Sequence, residues 1–235
     1  MSVLEKREHH PRYGDIKITI NQRARNIILR ARAGIIEVTL PPRATRADME
    51  NALDRHGEKL LAECRTTMPE IIDNEYKVAT EGFSFMLSAH AGSRYILRYK
   101  GTVATLLYPE TVNFNDAATQ ELLRRIRITA LRHIANEHLP QRLGVLAGRY
   151  GFLYNAVSLR DSHTRWGSCS SKRNISLSIY LQLLPTRLSD YMMLHELCHT
   201  VEMNHGASFW ELMNRVTDGK AKMLRGELKR YKPSF

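Results

Sequence analysis

Cysteine is scarce in this chain, with three in 235 residues: Cys64, Cys169 and Cys198. An odd, sparse set argues against a disulfide framework and for a reducing compartment. No apolar run approaches the roughly 18 residues of a membrane span, so no membrane contact is expected. The segment Met1 to Arg12 is polar and charged and lacks the apolar centre of a secretion signal. Together these features give the expectation of a cytoplasmic protein. Also missing are a Gly-rich phosphate loop, a carboxylate-rich two-metal cluster, a recognisable RNA- or DNA-binding motif, an internal repeat and any low-complexity stretch.

What is present is an ordinary globular composition, 43% hydrophobic and 25% charged, long enough for one or two domains. The net charge is +11. A basic balance supports binding to nucleic acid, nucleotides or other anions without proving it. Two concentrations stand out: Arg124, Arg125, Arg127 and Arg132 on an expected helix, and Lys220, Lys222, Arg225, Lys229, Arg230 and Lys232 near the end. Each reads first as a solvated helix face, and second as a patch for a polyanion.

Period-two alternation over 15–21 reads as a half-buried strand, continued by 25–32 and 35–40 around a turn at Gly34. Pro41-Pro42 closes that sheet. Residues 46–66 read as a helix, interrupted at Met68-Pro69. Short strands are expected at 77–79, 83–90, 94–100 and 103–108. The pattern then changes to a long helix over 116–139, with Leu122, Leu123, Ile126, Ala130, Ile134 and Leu139 inward; Pro140 is expected to kink or split it before a second piece running to Arg149. Strands follow near 156–160, 163–169 and 174–181, then helices at 186–203, 207–217 and 219–231. The expected fold is α+β: a β-rich N-terminal domain with one helix over 1–115, and a minimal zincin-like catalytic domain over 116–235. The latter comprises a backing helix, a small mixed sheet, a metal helix and C-terminal helices.

The metal helix carries His195-Glu196-Leu197-Cys198-His199. Residues four apart share a helix face, so His195 and His199 can hold one ion. Glu196 projects beside that ion, which suits a general base for an activated water. Neutral imidazoles suit zinc, and three protein ligands leave a fourth position open. Thr186, after Pro185, is placed to cap this helix.

A third ligand is needed. His205 lies at the first-to-third histidine spacing of the H-E-x-x-H-x-x-G-x-x-H proteases, although Glu202 replaces the glycine that breaks the helix. Asn204, which tolerates the left-handed conformation, can make the turn instead. His205 is the favoured ligand; Asp218 and Glu211 are the acidic alternatives.

Several words in order carry a resemblance: Thr164-Arg165-Trp166-Gly167-Ser168-Cys169-Ser170-Ser171-Lys172, Asn174-Ile175-Ser176-Leu177, Asp190-Tyr191, the H-E-x-x-H run, Met203-Asn204-His205 and Phe209-Trp210. The chain resembles the YgjP-like family of metal-dependent hydrolases, zincin-type metallopeptidases also called SprT-like. The likeness extends weakly to Arg23-Ala24-Arg25-Asn26 and Pro41-Pro42. It implies one zinc per chain at His195, His199 and His205, with Glu196 as catalytic base, and no particular substrate.

The leading expectation is therefore a zinc metallopeptidase acting on a peptide or protein. Asn174, Ile175 and Ser176 are candidates for strand addition to an extended substrate. Trp166 either lines the pocket or packs in the core, and Phe209 and Trp210 anchor the helix that follows the metal site. Arg165, His163 and Tyr191 are candidate oxyanion stabilisers. Two other readings keep the metal: a phosphohydrolase acting on nucleotides, and a zinc-stabilised module that binds nucleic acid through its basic helices.

Overall fold

Ile36, Val38 and Leu40 of Ile35–Leu40 are buried, while the residues between them are half-exposed, as a strand with one covered face requires. The structure, a computed structural model, describes residues 4–32, 34–66 and 70–235. Met68 and Pro69 lie outside the described residues. The chain forms two compact units that divide at Ile71/Ile72.

In the first unit, β1 (Leu4–His10), β2 (Gly14–Ile20), β3 (Ile28–Arg32) and β4 (Ile35–Leu40) form one sheet in the order β1-β2-β4-β3. The central pair β2–β4 is parallel and the outer pairs are antiparallel. Helix α1 (Arg46–Thr66) packs on the sheet, and Tyr13, Ile16, Ile36, Val38, Met49 and Leu53 form the core. β1 was not foreseen: every second residue of its charged sequence does not read as apolar, and its pairing with β2 decides it. Gly34 has φ 79°, the left-handed turn its position calls for.

The second unit begins with the same plan. Strands β5 (Lys77–Ala79), β6 (Ser84–His90), β7 (Ile96–Lys100) and β8 (Val103–Pro109) pair in the order β5-β6-β8-β7, again with a parallel centre, and a helix follows. The two four-strand-plus-helix segments thus repeat one topology with no repeat visible in their sequences. Shared topology needs only matching periodicity and turns, not matching residues.

Helix α2 (Ala117–Tyr150) is one continuous element through Pro140, where a kink or split was expected. Its N-terminus is capped by the Asp116 carboxylate, which accepts from the Thr119 N–H at 2.8 Å, and it ends at Gly151 with φ 74°. Leu123, Ala130, Leu131, Ile134, Leu139 and Leu143 are buried along one face, and that long buried stripe outweighs the one hydrogen bond that Pro140 removes. Leu122, expected inward, is 38% exposed. Arg127, assigned by sequence to a basic surface cluster, is buried against Tyr76 and lies 3.9 Å over the Phe235 ring.

The expected domain boundary near 115 would separate β5–β8 from α2. The structure packs them together: Phe83, Phe85, Ala104 and Leu106 share one core with Leu123, Ala130 and Ile134. Gln120 on α2 fastens the start of the unit, donating to the Ile72 carbonyl at 2.8 Å and accepting its N–H at 3.0 Å.

A three-stranded sheet follows α2. Its order is β10-β11-β9, from β9 (Ala156–Arg160), β10 (Gly167–Cys169) and β11 (Asn174–Ser178). β11 is expected to run to 181 but gives way to a 3₁₀ turn over Ile179–Leu183, capped by Ser178. Helices α3 (Thr186–Cys198), α4 (Ala207–Val216) and α5 (Ala221–Leu228) complete the unit. No helix among the described residues is long and apolar enough to cross a membrane.

Candidate metal centre

Helix α3 is held at both ends by the rest of its unit. Its first N–H, on Thr186, donates to the Glu81 carboxylate at 2.8 Å from the turn between β5 and β6. Thr186 is therefore the first helical residue and not the cap, and the missing cap is supplied through the tertiary fold. The same turn presents the Thr80 hydroxyl to the Gln182 carbonyl at 2.9 Å. On the exposed side, Arg142 of α2 donates to both oxygens of Asp190, at 2.8 and 2.5 Å. This accounts for Asp190 as a residue that positions the helix.

The far end of α3 sets where the three histidines meet. The helix stops at Cys198 with His199 as its C-cap, five residues short of the expected end at 203. Thr200 and Val201 then bond back to Leu197 and Cys198 at 3.0 Å each, a tightened final turn. Arg173 and Asp218 are the positive-φ residues other than glycine among the described residues, so Asn204 does not make the turn in the way expected. The tight turn brings the Glu202 carbonyl within 2.9 Å of His199 Nδ1. A carbonyl only accepts, so the His199 proton resides on Nδ1 and Nε2 presents a bare lone pair. Glu202, which replaces the expected glycine, thus orients a ring through its backbone.

His195, His199 and His205 form a group whose ligating atoms lie within 4.8 Å of one another. His195 Nε2 is 3.2 Å from His199 Nε2 and 3.1 Å from His205 Nε2. Nitrogens at zinc–nitrogen bond lengths in a tetrahedron stand about 3.3 Å apart. Burial, reinforced by the neighbouring imidazoles and Arg225, pushes His195 down to about 3. His205 is lowered for the same reasons, burial first. Rings kept neutral are rings able to ligate, and the donor set fits a zinc-like cation. Asp218 and Glu211 do not join the group. Asp218 instead has φ 51°, in the turn between α4 and α5.

Glu196, next to His195 on α3, reaches toward β10. It is 3% exposed, and burial pushes its carboxyl up to about 8. Gly167 of β10 lies against it, and Cys169, two residues on and so on the same strand face, has its thiol pushed up by burial and by the Glu196 charge.

The sequence missed two residues here. Phe209, read as a helix anchor, is fully buried and lies 4.6 to 5.0 Å, centroid to centroid, from all three imidazoles. Arg225, counted as part of a basic tail, sits 5.0 Å over the Trp210 ring, and its charge helps to lower both His195 and His205. No periodicity marks either residue as a neighbour of the three histidines; only the packing of α4 and α5 on α3 does.

Other expected site residues are placed differently. Asn174, Ile175 and Ser176 lie on β11, the central strand, with β9 on one side and β10 on the other. Both ladder edges are filled, so they cannot accept an added strand; the open edge next to α3 belongs to β10. Trp166 is half-buried against the core, and its carbonyl accepts the Ser178 N–H at 2.8 Å. Arg165 is exposed. His163 Nε2 sits 3.2 Å from the Tyr180 hydroxyl and 3.3 Å from Asp161. Tyr191 is buried, its ring 6.3 Å from that of His195.

A family model described as YgjP-like, metallopeptidase domain, matches residues 25–231. The solved structure of the metallopeptidase zymogen abylysin from Pyrococcus abyssi is similar over 39% of this chain and 91% of its own, at 23% identity and a TM-score of 0.36. No curated protein matches the chain.

Proposed function

The chain belongs to the YgjP-like metallopeptidase family, and from that premise we propose that it is a zinc-dependent peptidase that uses Glu196 as its general base. His195, His199 and His205 would hold one zinc ion per chain. A bound zinc ion supplies the positive charge that lowers the pKa of a water and polarises a carbonyl. Everything else is work for the chain's own side chains.

Glu196 accepts a proton from water and returns it to the leaving amine, and its burial favours the protonated form between those two events. Gly167 of β10 leaves room for the carboxylate, and Cys169 on the same strand face lies near it. The Glu202 carbonyl fixes the tautomer of His199, and Phe209 closes the apolar side of the three rings. The substrate backbone lies along the free edge of β10, where strand addition reads an extended chain without demanding a side-chain sequence. Arg225, whose charge bears on His195 and His205, would stabilise negative charge on the attacked carbonyl oxygen. We place the protein in the cytoplasm, since a sparse, odd set of three cysteines suits a reducing compartment.

The observation that carries this reading is the convergence of three Nε2 atoms beside a buried glutamate that packs on an edge strand. The test is turnover of a peptide library by zinc-loaded protein beside Glu196→Gln. Retained zinc with activity lowered about a thousandfold supports the role of Glu196. Undiminished zinc-dependent hydrolysis by the variant overturns it.

A further inference from the structure

The sheet of the first unit is neutralised unevenly. Around β1, β2 and the facing side of α1, Lys6 pairs with Glu8, Lys17 with Glu5, Arg12 with Asp54 and Glu58, and Arg46 with Glu8 and Glu50. At the β3 end, Arg23, Arg25, Arg32, Arg43 and Arg55 make no ion pair among the described residues.

A groove runs along this cationic end, between α1 and the segment that leads into β3, with Leu29 of β3 itself at its smaller end. It consists of two cavities, of about 770 and about 370 Å³, that share Ile27, Ala52 and Arg55. Arg25, Arg43 and Arg55 line the larger cavity, and His56 and Lys59 the smaller. The floor is aliphatic. Two acids also line it: Asp48 in the larger cavity and Glu63 in the smaller. Asp48 already accepts the Thr45 N–H and hydroxyl at 2.8 and 2.7 Å, which holds its carboxyl below the usual range. The two short N-terminal words of the sequence, Arg23–Asn26 and Pro41-Pro42, meet in this cavity, which the metal centre does not use.

Within its unit β3 is an edge strand, paired with β4 alone. Its outer N–H and C=O groups can bond an extended backbone. Guanidinium forks match carboxylates in two-point contacts. No Phe, Tyr or Trp lines either cavity, so the stacking platform used for single-stranded nucleic acid is missing. We propose that the β3–α1 groove binds an extended acidic peptide segment, which pairs with β3 and sets its carboxylates against Arg25, Arg43 and Arg55. Binding is independent of the metal centre; its use in holding an acidic protein substrate rests on the peptidase reading.

The experiment is fluorescence anisotropy on the full chain with a labelled peptide of alternating glutamate and valine, read without turnover, so an inactive metal centre leaves the result decisive. Three comparisons accompany it: the same peptide N-methylated at alternate residues, a neutral peptide and a single-stranded oligonucleotide of equal charge. The expected result is saturable binding of the acidic peptide. It weakens about tenfold or more in Arg25→Ala/Arg55→Ala, weakens comparably on N-methylation, and changes little in Lys222→Ala/Lys229→Ala, which removes the same charge elsewhere. All four side chains are exposed, so the variants keep the fold. No saturable binding, equal loss in both double variants, or arginine-dependent binding of the oligonucleotide alone overturns the proposal.

Discussion

A side-chain carbon added to Gly167 would stand 2.7 Å from Cγ and 2.8 Å from Oε1 of Glu196. Real Cβ atoms do not approach so closely, so the absence of a side chain on β10 is what gives the glutamate its place. Gly167→Ala is expected to displace the carboxylate and lower turnover about a hundredfold, as ångström-scale misplacement of a reacting group does. The zinc content should stay at the wild-type level, because the three atoms nearest the added carbon all belong to Glu196 and none to a histidine. Metal analysis beside kcat checks it, and unchanged kcat would count against the packing argument.

His205 is the most exposed of the three imidazoles and reaches the group from beyond the end of α3. Its removal in His205→Ala leaves two donors on one helix. Zinc is expected to fall from about one per chain to substoichiometric levels after dialysis, in keeping with the loss of one of three protein ligands. Equal zinc in variant and wild type would require another third ligand.

The Glu196 carboxyl, pushed up to about 8 by burial, links stability to pH in metal-free protein. A raised value means that the folded state holds its proton more tightly than the unfolded chain, so the contribution is complete below the ordinary carboxylate value and fades as pH rises toward about 8. Metal-free Glu196→Gln carries no such proton. Its Tm should gain on that of the wild type as pH rises across this window and level off above it. A Tm difference independent of pH would contradict this.

Glu81 caps α3 from a distant turn, and its carboxyl is held below its usual value by the side-chain and backbone hydrogen bonds to Thr186. Here the sign is opposite. Stabilisation is present above the ordinary carboxylate value and is lost as pH falls through the lowered one. Glu81→Ala is expected to have a lower Tm than wild type at neutral pH and the same Tm in sufficiently acidic solution. A thermal melt series in acetate and phosphate buffers measures the convergence.

How much of this was legible in the sequence follows the range of each interaction. Spacing on one helix is local, so His195, Glu196 and His199 declare their shared chemistry in five consecutive letters, and most strands and helices follow from periods of two and 3.6. His205 was legible as a spacing, but the tight turn that delivers it was not, since it depends on the Glu202 carbonyl meeting a side chain. The continuity of α2 through Pro140, the burial of Arg127 and the central place of β11 were also out of reach, because each is decided by what packs alongside. The same holds for the boundary at Ile72, which depends on β5–β8 sharing the core of α2.

The sequence by itself determined the H-E-x-x-H pattern, the helix that carries it and the likeness to a metallopeptidase family, because those rest on covalent order and helical pitch. Only the tertiary structure decided that Gly167 makes room for Glu196, that Phe209 backs the imidazoles, that Arg225 faces them from α5 and that the open strand edge is β10. Those relationships join residues far apart in the chain, and nothing in a one-dimensional pattern specifies which distant surfaces exclude water together.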